Sequence, residues 1–302
     1  MSVLDMIPGS PDRAALLQNA VKGRSLWDDA TRRLLRNRAA VAGMVVLALM
    51  VLLAAVGPFL VSFPYDKVTK TDIWLGPLRS GHLLGTDSLG RDLLARLLAG
   101  LGVSMAIGVV ATSVSLVIGV VWGATAGYLG GRIDEIMMRI VDTLYSLPFI
   151  FFVILLMVTF GRNIFLIFLA IGAVEWLTMS RIVRGQTLSL KSREFIEAAR
   201  AAGLSSSQII FRHIVPNLLG PVVVYVTLTI PAVIIAESFL SFLGLGVQPP
   251  MASLGTLIAT GAQDMEMAPW LLVFPSATMI VTLMAFNFIG DGLRDALDPK
   301  DR

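Results

Sequence analysis

Histidine occurs at only two positions, His82 and His213, cysteine is absent, and no His-Glu-x-x-His arrangement occurs. Neither a zinc site nor a thiol nucleophile can be assembled from that set. No serine has a legible base for nucleophilic catalysis, and no Gly-x-x-x-x-Gly-Lys-Ser/Thr loop is present to cradle nucleotide phosphates. Two features remain that could do chemistry. One is a charged island between long apolar runs, KSREFIEAARAAGLSSSQIIFRHIVPN over 191–217; the other is a pair of carboxylates, Glu175 and Glu237, in or beside apolar stretches. Such features serve docking and passage rather than bond breaking.

In the island, Glu194, Glu197 and Arg200 are spaced for the exposed side of one short helix, with Phe195, Ala198, Ala199 and Ala202 predicted to pack beneath it. Gly203 suits the left-handed residue that ends such a helix. Ser205 and Gln208 form a capping box for a second helix, which Pro216 is predicted to stop or kink. The result is a helix-turn-helix held at the membrane surface and shaped for a partner's groove, in which His213 makes an interfacial hydrogen bond.

An intramembrane carboxylate is costly and by default indicates a water-filled path or a functional partner. Glu175 lies shortly before Arg181, which places it toward the cytoplasmic surface, and Glu237 lies toward the external end of its run. Each is read either as a contact for passing substrate or as an interfacial group.

The elements that position these residues follow from composition. Of 302 residues 56% are hydrophobic and 15% charged, and the mean hydropathy is +0.79. That balance excludes a soluble domain and fits a polytopic membrane protein. Six stretches reach the roughly 20 residues that cross a hydrocarbon core: 39–61, 103–128, 140–160, 164–180, 218–243 and 270–290. The first is too far into the chain for an ordinary cleaved signal and is expected to be retained. The formal net charge of +3 is uninformative, but its distribution orients the chain. If six helices alternate, Arg13, Lys22, Arg24, Arg32, Arg33, Arg36, Arg38, Arg132, Arg139, the island's basic residues with Arg181 and Arg184, and Arg294, Lys300 and Arg302 share one side. The other side receives Lys67, Lys70, Arg79, Arg91, Arg96 and Arg162, and the 244–269 loop has no basic residue. Both termini are therefore expected in the cytoplasm.

Residues 1–38 read as a basic cytoplasmic arm, 39–61 as the first transmembrane helix, 62–102 as an external segment ending in an amphipathic helix, 103–290 as the core and 291–302 as a cytoplasmic tail. In the arm, Trp27, Leu34 and Leu35 are placed to lie in the lipid interface, or the segment is simply a topogenic basic patch. Gly119, Gly123 and Gly127 form a doubled small-xxx-small pattern that predicts close helix packing, within the chain or between subunits. The Gly- and Pro-rich loop after the fifth span has a composition compatible with re-entry toward the membrane.

The island resembles the EAA loop of bacterial ABC importer permeases, the cytoplasmic element that couples to an ATPase subunit. The resemblance covers nearly the whole chain after residue 23. It extends to Leu35-Arg36-Asn37-Arg38, to Gly85-Thr86-Asp87 with Gly90-Arg91-Asp92, to the SFLGLGVQPP run over 241–250 and to NFIGDGLRDALDP over 287–299. These look like the C-type inner-membrane permease of the oligopeptide/dipeptide importer family, and GRSLW, FFVILL and SRIVRGQTLSLK look more like the oligopeptide branch. His213 and Val215 stand where the general loop has Ile and Leu. The resemblance implies an all-α polytopic membrane protein with six transmembrane helices, the type I ABC importer permease fold, and cytoplasmic coupling helices. It implies ATPase coupling through Glu194, Glu197, Ala198, Ala199, Arg200, Gly203, His213 and Pro216. It also implies a homologous second permease, two cytoplasmic ATPases that bind ATP and Mg, a periplasmic peptide-binding protein, a peptide cargo, the bacterial inner membrane and no nucleic acid. No cofactor is expected on this chain. A channel or secondary transporter competes weakly, since neither needs such an island; glutathione or nickel remains an alternative cargo.

Overall fold

In lipid a spanning segment must satisfy its own backbone, so apolar runs of this length become helices. A computed structural model describes residues 26–161 and 163–297, and its regular elements are helical. Expectations placed on residues 1–25, on Arg162 and on 298–302, and on the side chain of Trp27, lie outside what is described. In chain order the elements are α1 (Leu26–Arg36), α2 (Arg38–Leu60), α3 (Leu93–Leu129), α4 (Gly131–Tyr145), α5 (Phe149–Phe160), α6 (Ile164–Lys191), α7 (Glu194–Ala201), α8 (Ser206–Ile209), α9 (Val215–Phe242), α10 (Leu254–Gln263) and α11 (Trp270–Leu297), with a π-helical turn over Ile210–Ile214 between α8 and α9.

Among the described residues five helices are long and apolar enough to cross a membrane, and there are six spans if the bent pair α4–α5 counts as one. The sequence predicts one continuous helix over 140–160; the structure instead bends by 82° there. Pro148 supplies the reason, because its ring and missing N–H disfavour helix before it and start a new one after it. Other boundaries also move. The external segment does not end in a separate amphipathic helix at 102. Asp92 caps a single helix from Leu93 to Leu129, accepting from Ala95 N at 2.7 Å, so the expected boundary at 102/103 falls inside α3. α6 runs eleven residues past the predicted end at 180, through Arg181 and Arg184 to Lys191.

α1 carries Asp28 and Asp29 in its first turn and Arg33 and Arg36 in its last, matching the helix dipole. Asn37 then caps α2 by accepting from Ala39 N and Ala40 N. α2 packs on α3 and α11 but leaves Val45, Leu49 and Leu52 outward, as expected of a helix with lipid on one side.

α3 against α6 is the principal packing interface. A Cβ built at Gly119 would lie 2.6 Å from Met179 Cβ, and one at Gly127 2.8 Å from Thr187 Cβ. One at Gly123 would press into the Ser180 carbonyl and lie 2.9 Å from Arg184 N. The three glycines thus face a helix of the same chain.

Outside the spans, residues 61–92 fold into an irregular cap. Asp87 Oδ1 accepts from Leu89 N and Arg91 N, its Oδ2 holds Arg91 at 2.7 Å, and Arg96 lies 3.6 Å away. Two of the basic residues counted on the external side are therefore paired with one acid. His82 is buried, stacked on Phe63 and 2.8 Å from Asp92.

Candidate functional site

Eight residues alone make a marginal helix, so α7 depends on what it rests against. Ile196 and Ala199 are buried with Tyr128 of α3, Met179 and Val183 of α6, and Ile209, Ile214 and Leu218. Burying Ile196 completely contributes about 1.5–3 kcal/mol relative to exposure. Arg200 lies 5.4 Å above the Tyr128 ring and Lys191 5.8 Å from it, so two cations flank one buried aromatic. The inward face differs from the predicted one: Phe195, Ala198 and Ala202 are exposed, and Ala199 alone of the predicted set packs beneath. Two adjacent faces satisfy helical spacing, and the one carrying Ile196 buries the larger apolar group.

The turn after α7 is a full Schellman arrangement. Gly203 N donates to Arg200 O at 2.9 Å, Leu204 N donates to Ala199 O at 3.2 Å, and Gly203 has φ of +81°. Leu204 packs back onto the same cluster as Ala199. Ser205 and Gln208 then form the predicted reciprocal capping box. Pro216 does not stop the second helix. It occupies the first turn of α9, and the preceding turn widens so that Val215 N donates to Ile210 O. That wide turn removes the conflict a proline ring makes with the carbonyl four residues back. Asn217 Nδ2 donates to the His213 carbonyl at 2.6 Å, and the His213 side chain is half-buried. The second helix therefore leads without a stop into the fifth span.

Glu194, Glu197, Ala198 and Arg200 face outward together with Phe195, and Phe211 adds a second exposed aromatic on the following turn. The element presents an outward strip of carboxylates, small residues and two phenyl rings on a seat built from α3, α6 and α9.

The intramembrane carboxylates meet different surroundings. Glu237 is fully buried, and its Oε1 accepts from Ser241 Oγ at 2.6 Å and Ser253 Oγ at 2.7 Å. Ser253 is the N-cap of α10, whose Leu254 N donates to Ser104 Oγ on α3. After that loop the short helix α10 docks at a polar junction with α3 and α9. Glu175 is instead half-buried beside an open cavity at the α4–α5 bend.

Charge pairs not anticipated from the sequence join α4 to α6. Arg184 holds Asp134 through two bonds of 2.5 and 2.7 Å, and Arg181 Nη2 donates to Asp142 Oδ1 at 2.7 Å. The signal was present: two acids eight apart on one helix and two arginines three apart on another. The arginines were counted only for orientation.

Comparison with known proteins follows this geometry. Residues 115–302 match the family described as binding-protein-dependent transport system inner membrane component, and residues 25–77 match the N-terminal transmembrane domain of oligopeptide transport permease C. The oligopeptide transport system permease protein OppC of Haemophilus influenzae is 52% identical over 299 residues, covering 99% of this chain and 96% of that protein. OppC of Escherichia coli K12 is 57% identical over 283 residues, 93% and 94% of the two chains. The dipeptide transport system permease protein DppC of Bacillus subtilis is 44% identical over 279 residues, 92% and 87%. A chain of the inward-facing MetNI methionine ABC transporter superposes with a TM-score of 0.56 at 18% identity, over 67% of this chain and 96% of that one, which concerns the fold alone.

Proposed function

The chain belongs to the binding-protein-dependent inner-membrane transport components, in their oligopeptide permease C branch, and on that premise we propose that it is half of an oligopeptide import pathway driven by separate ATPases. It is a multi-pass permease subunit and not an enzyme. A homologous second permease supplies the other half of the path. Two cytoplasmic ATPases bind ATP and Mg and dock on the α7–α8 element, and a periplasmic binding protein delivers the peptide. Both termini and the α7–α8 element face the cytoplasm of a bacterial inner membrane, as the basic residues favour.

The observation that carries the coupling role is the seat of α7. Its inward side is fixed to three spanning helices, while Glu197, Ala198 and Phe195 are free to meet a partner. A groove that closes on this strip moves α6 and α9 with it, because α7 follows α6 after two residues and α8 runs on into α9. Glu194, Arg200, His213 and Pro216 frame the strip; Ala199 and Gly203 hold it in shape.

The test uses the assembled importer. Glu197→Lys and Ala198→Glu leave the buried side untouched and should reduce ATPase co-purification and peptide uptake by about tenfold, the scale of one lost interfacial contact. Because the chain has no cysteine, single cysteines at Ser206 and Thr69 report topology: the first should be labelled only from inside and the second from outside. Normal docking and uptake in both variants, or external labelling at Ser206, would overturn the reading.

A further inference from the structure

This inference rests on the permease reading and concerns the cargo path. Between the α4–α5 bend and the middle of α6 lies a cavity of about 560 Å³, within the range of sites that hold small ligands. Its walls are largely apolar and aromatic, with Tyr145, Leu147, Phe152 and Trp176 among them, and Ser146 and Thr178 also on the lining. Glu175 is the single charged residue on the lining. It lies eleven residues into α6 from Ile164, about 17 Å along the helix at 1.5 Å per residue.

Among the described residues no ion pair or hydrogen bond reaches the Glu175 carboxylate. The cation nearest in sequence, Arg181, is held 2.7 Å from Asp142 and lies 4.3 Å over the Tyr145 ring. Glu237 differs in being closed in, with Oε1 accepting from two serine hydroxyls while the buried Oε2 has no partner among the described residues. A half-buried carboxylate without a protein partner, walled by apolar groups, attracts a cation that enters the cavity more than it would in bulk water.

We infer that Glu175 and this cavity form a subsite for an ammonium group of the peptide in transit, with the aromatic walls receiving the adjoining side chain. The ammonium comes from the peptide N-terminus or from a lysine side chain. Tyr145 already sits beside one cation, Arg181.

Uptake by the reconstituted importer tests this, with saturating binding protein and four related peptides: free-amine without lysine, its N-acetylated form, N-acetylated with lysine, and free-amine with lysine. Glu175→Gln should raise the half-saturating concentration for free-amine peptides by about tenfold, the size of one charge-assisted hydrogen bond. The N-acetylated, lysine-free peptide should be unchanged. Equal change for acetylated lysine and free-amine peptides would show that either ammonium serves; change for the free-amine peptides alone would assign the N-terminus. Binding-protein-stimulated ATP hydrolysis should persist in the variant. Glu237→Gln should alter all four peptides alike. Should Glu175→Gln fail to accumulate, the likewise uncharged Glu175→Met supplies the same discrimination. Unchanged uptake of every peptide, an equal fall for all four, or loss of the second permease from the complex would overturn the subsite. Absence of any peptide uptake by the unmutated assembly would instead overturn the permease reading.

Discussion

Gly203 offers the cleanest separation of backbone conformation from packing in the α7–α8 element. Its φ is +81°, and a Cβ built on it meets nothing within 4 Å. Space is therefore irrelevant, and the penalty for Gly203→Ala is the left-handed conformation itself, about 1–2 kcal/mol. Such a penalty shifts a local equilibrium by about 5–30-fold. α7 is only eight residues long and ends in the two Schellman hydrogen bonds that this residue permits, so the loss falls on an element with little stability of its own. Asparagine tolerates the left-handed region far better than alanine. Amide hydrogen exchange of Leu204, whose N–H donates to Ala199 O, reads the turn directly in the assembled importer. Gly203→Ala should lower its protection by about 5–30-fold and reduce peptide uptake per ATP hydrolysed, with normal insertion and normal pairing of the permeases. Gly203→Asn should stay close to the parent, and Gly203→Val should be worse than alanine. Parent-like protection in Gly203→Ala, or asparagine as damaging as alanine, would refute the argument from φ.

Two further expectations concern the helices behind that element. Gly123→Val should lower the thermal stability of the solubilised chain by about 1–3 kcal/mol, the usual cost of overpacking, because Ser180 O, Arg184 N and Val183 Cβ leave no room. Gly185→Ala, where nothing lies within 4 Å, should cost nothing, and equal losses at both sites would refute the packing argument. For the α4–α6 clamp, Asp134→Arg and Arg184→Asp should each weaken coupled hydrolysis, and the double exchange should restore much of it. Solvent reaches the Arg184 guanidinium, so the coupling energy in a thermal double-mutant cycle should be about 1 kcal/mol or less; no coupling at all would remove the clamp.

Much of this architecture was legible in local chemistry. An apolar run near 20 residues long spans whatever surrounds it. A glycine between a helix and a capping box predicts a left-handed stop, as at Gly203, and Ser205 with Gln208 predicts the next start. Those properties belong to a few adjacent residues and need no distant partner. The absence of a phosphate loop was likewise readable directly, and the 191–217 island was visible as charge between apolar runs.

Other features required the tertiary structure, because their outcome depends on what stands opposite. The buried face of α7 is one example: Phe195 and Ala198 or Ile196 and Ala199 both keep helical spacing, and only the hydrophobic seat around Tyr128 and Val183 decides for the second pair. The ends of α3 and α6 are another, since apolar character fades before the helix does and Arg184 is stabilised by Asp134 fifty residues away. Glu175 and Glu237 had the same residue type in similar apolar runs, yet Glu237 is enclosed with Ser241 of its own helix and Ser253 of another element, and Glu175 borders a cavity. In a chain that faces lipid, water, its own core and other subunits, periodicity shows that a helix has sides but not which neighbour each side meets. That assignment is a property of non-local contacts, and it determines which of two identical side chains is enclosed and which borders a cavity.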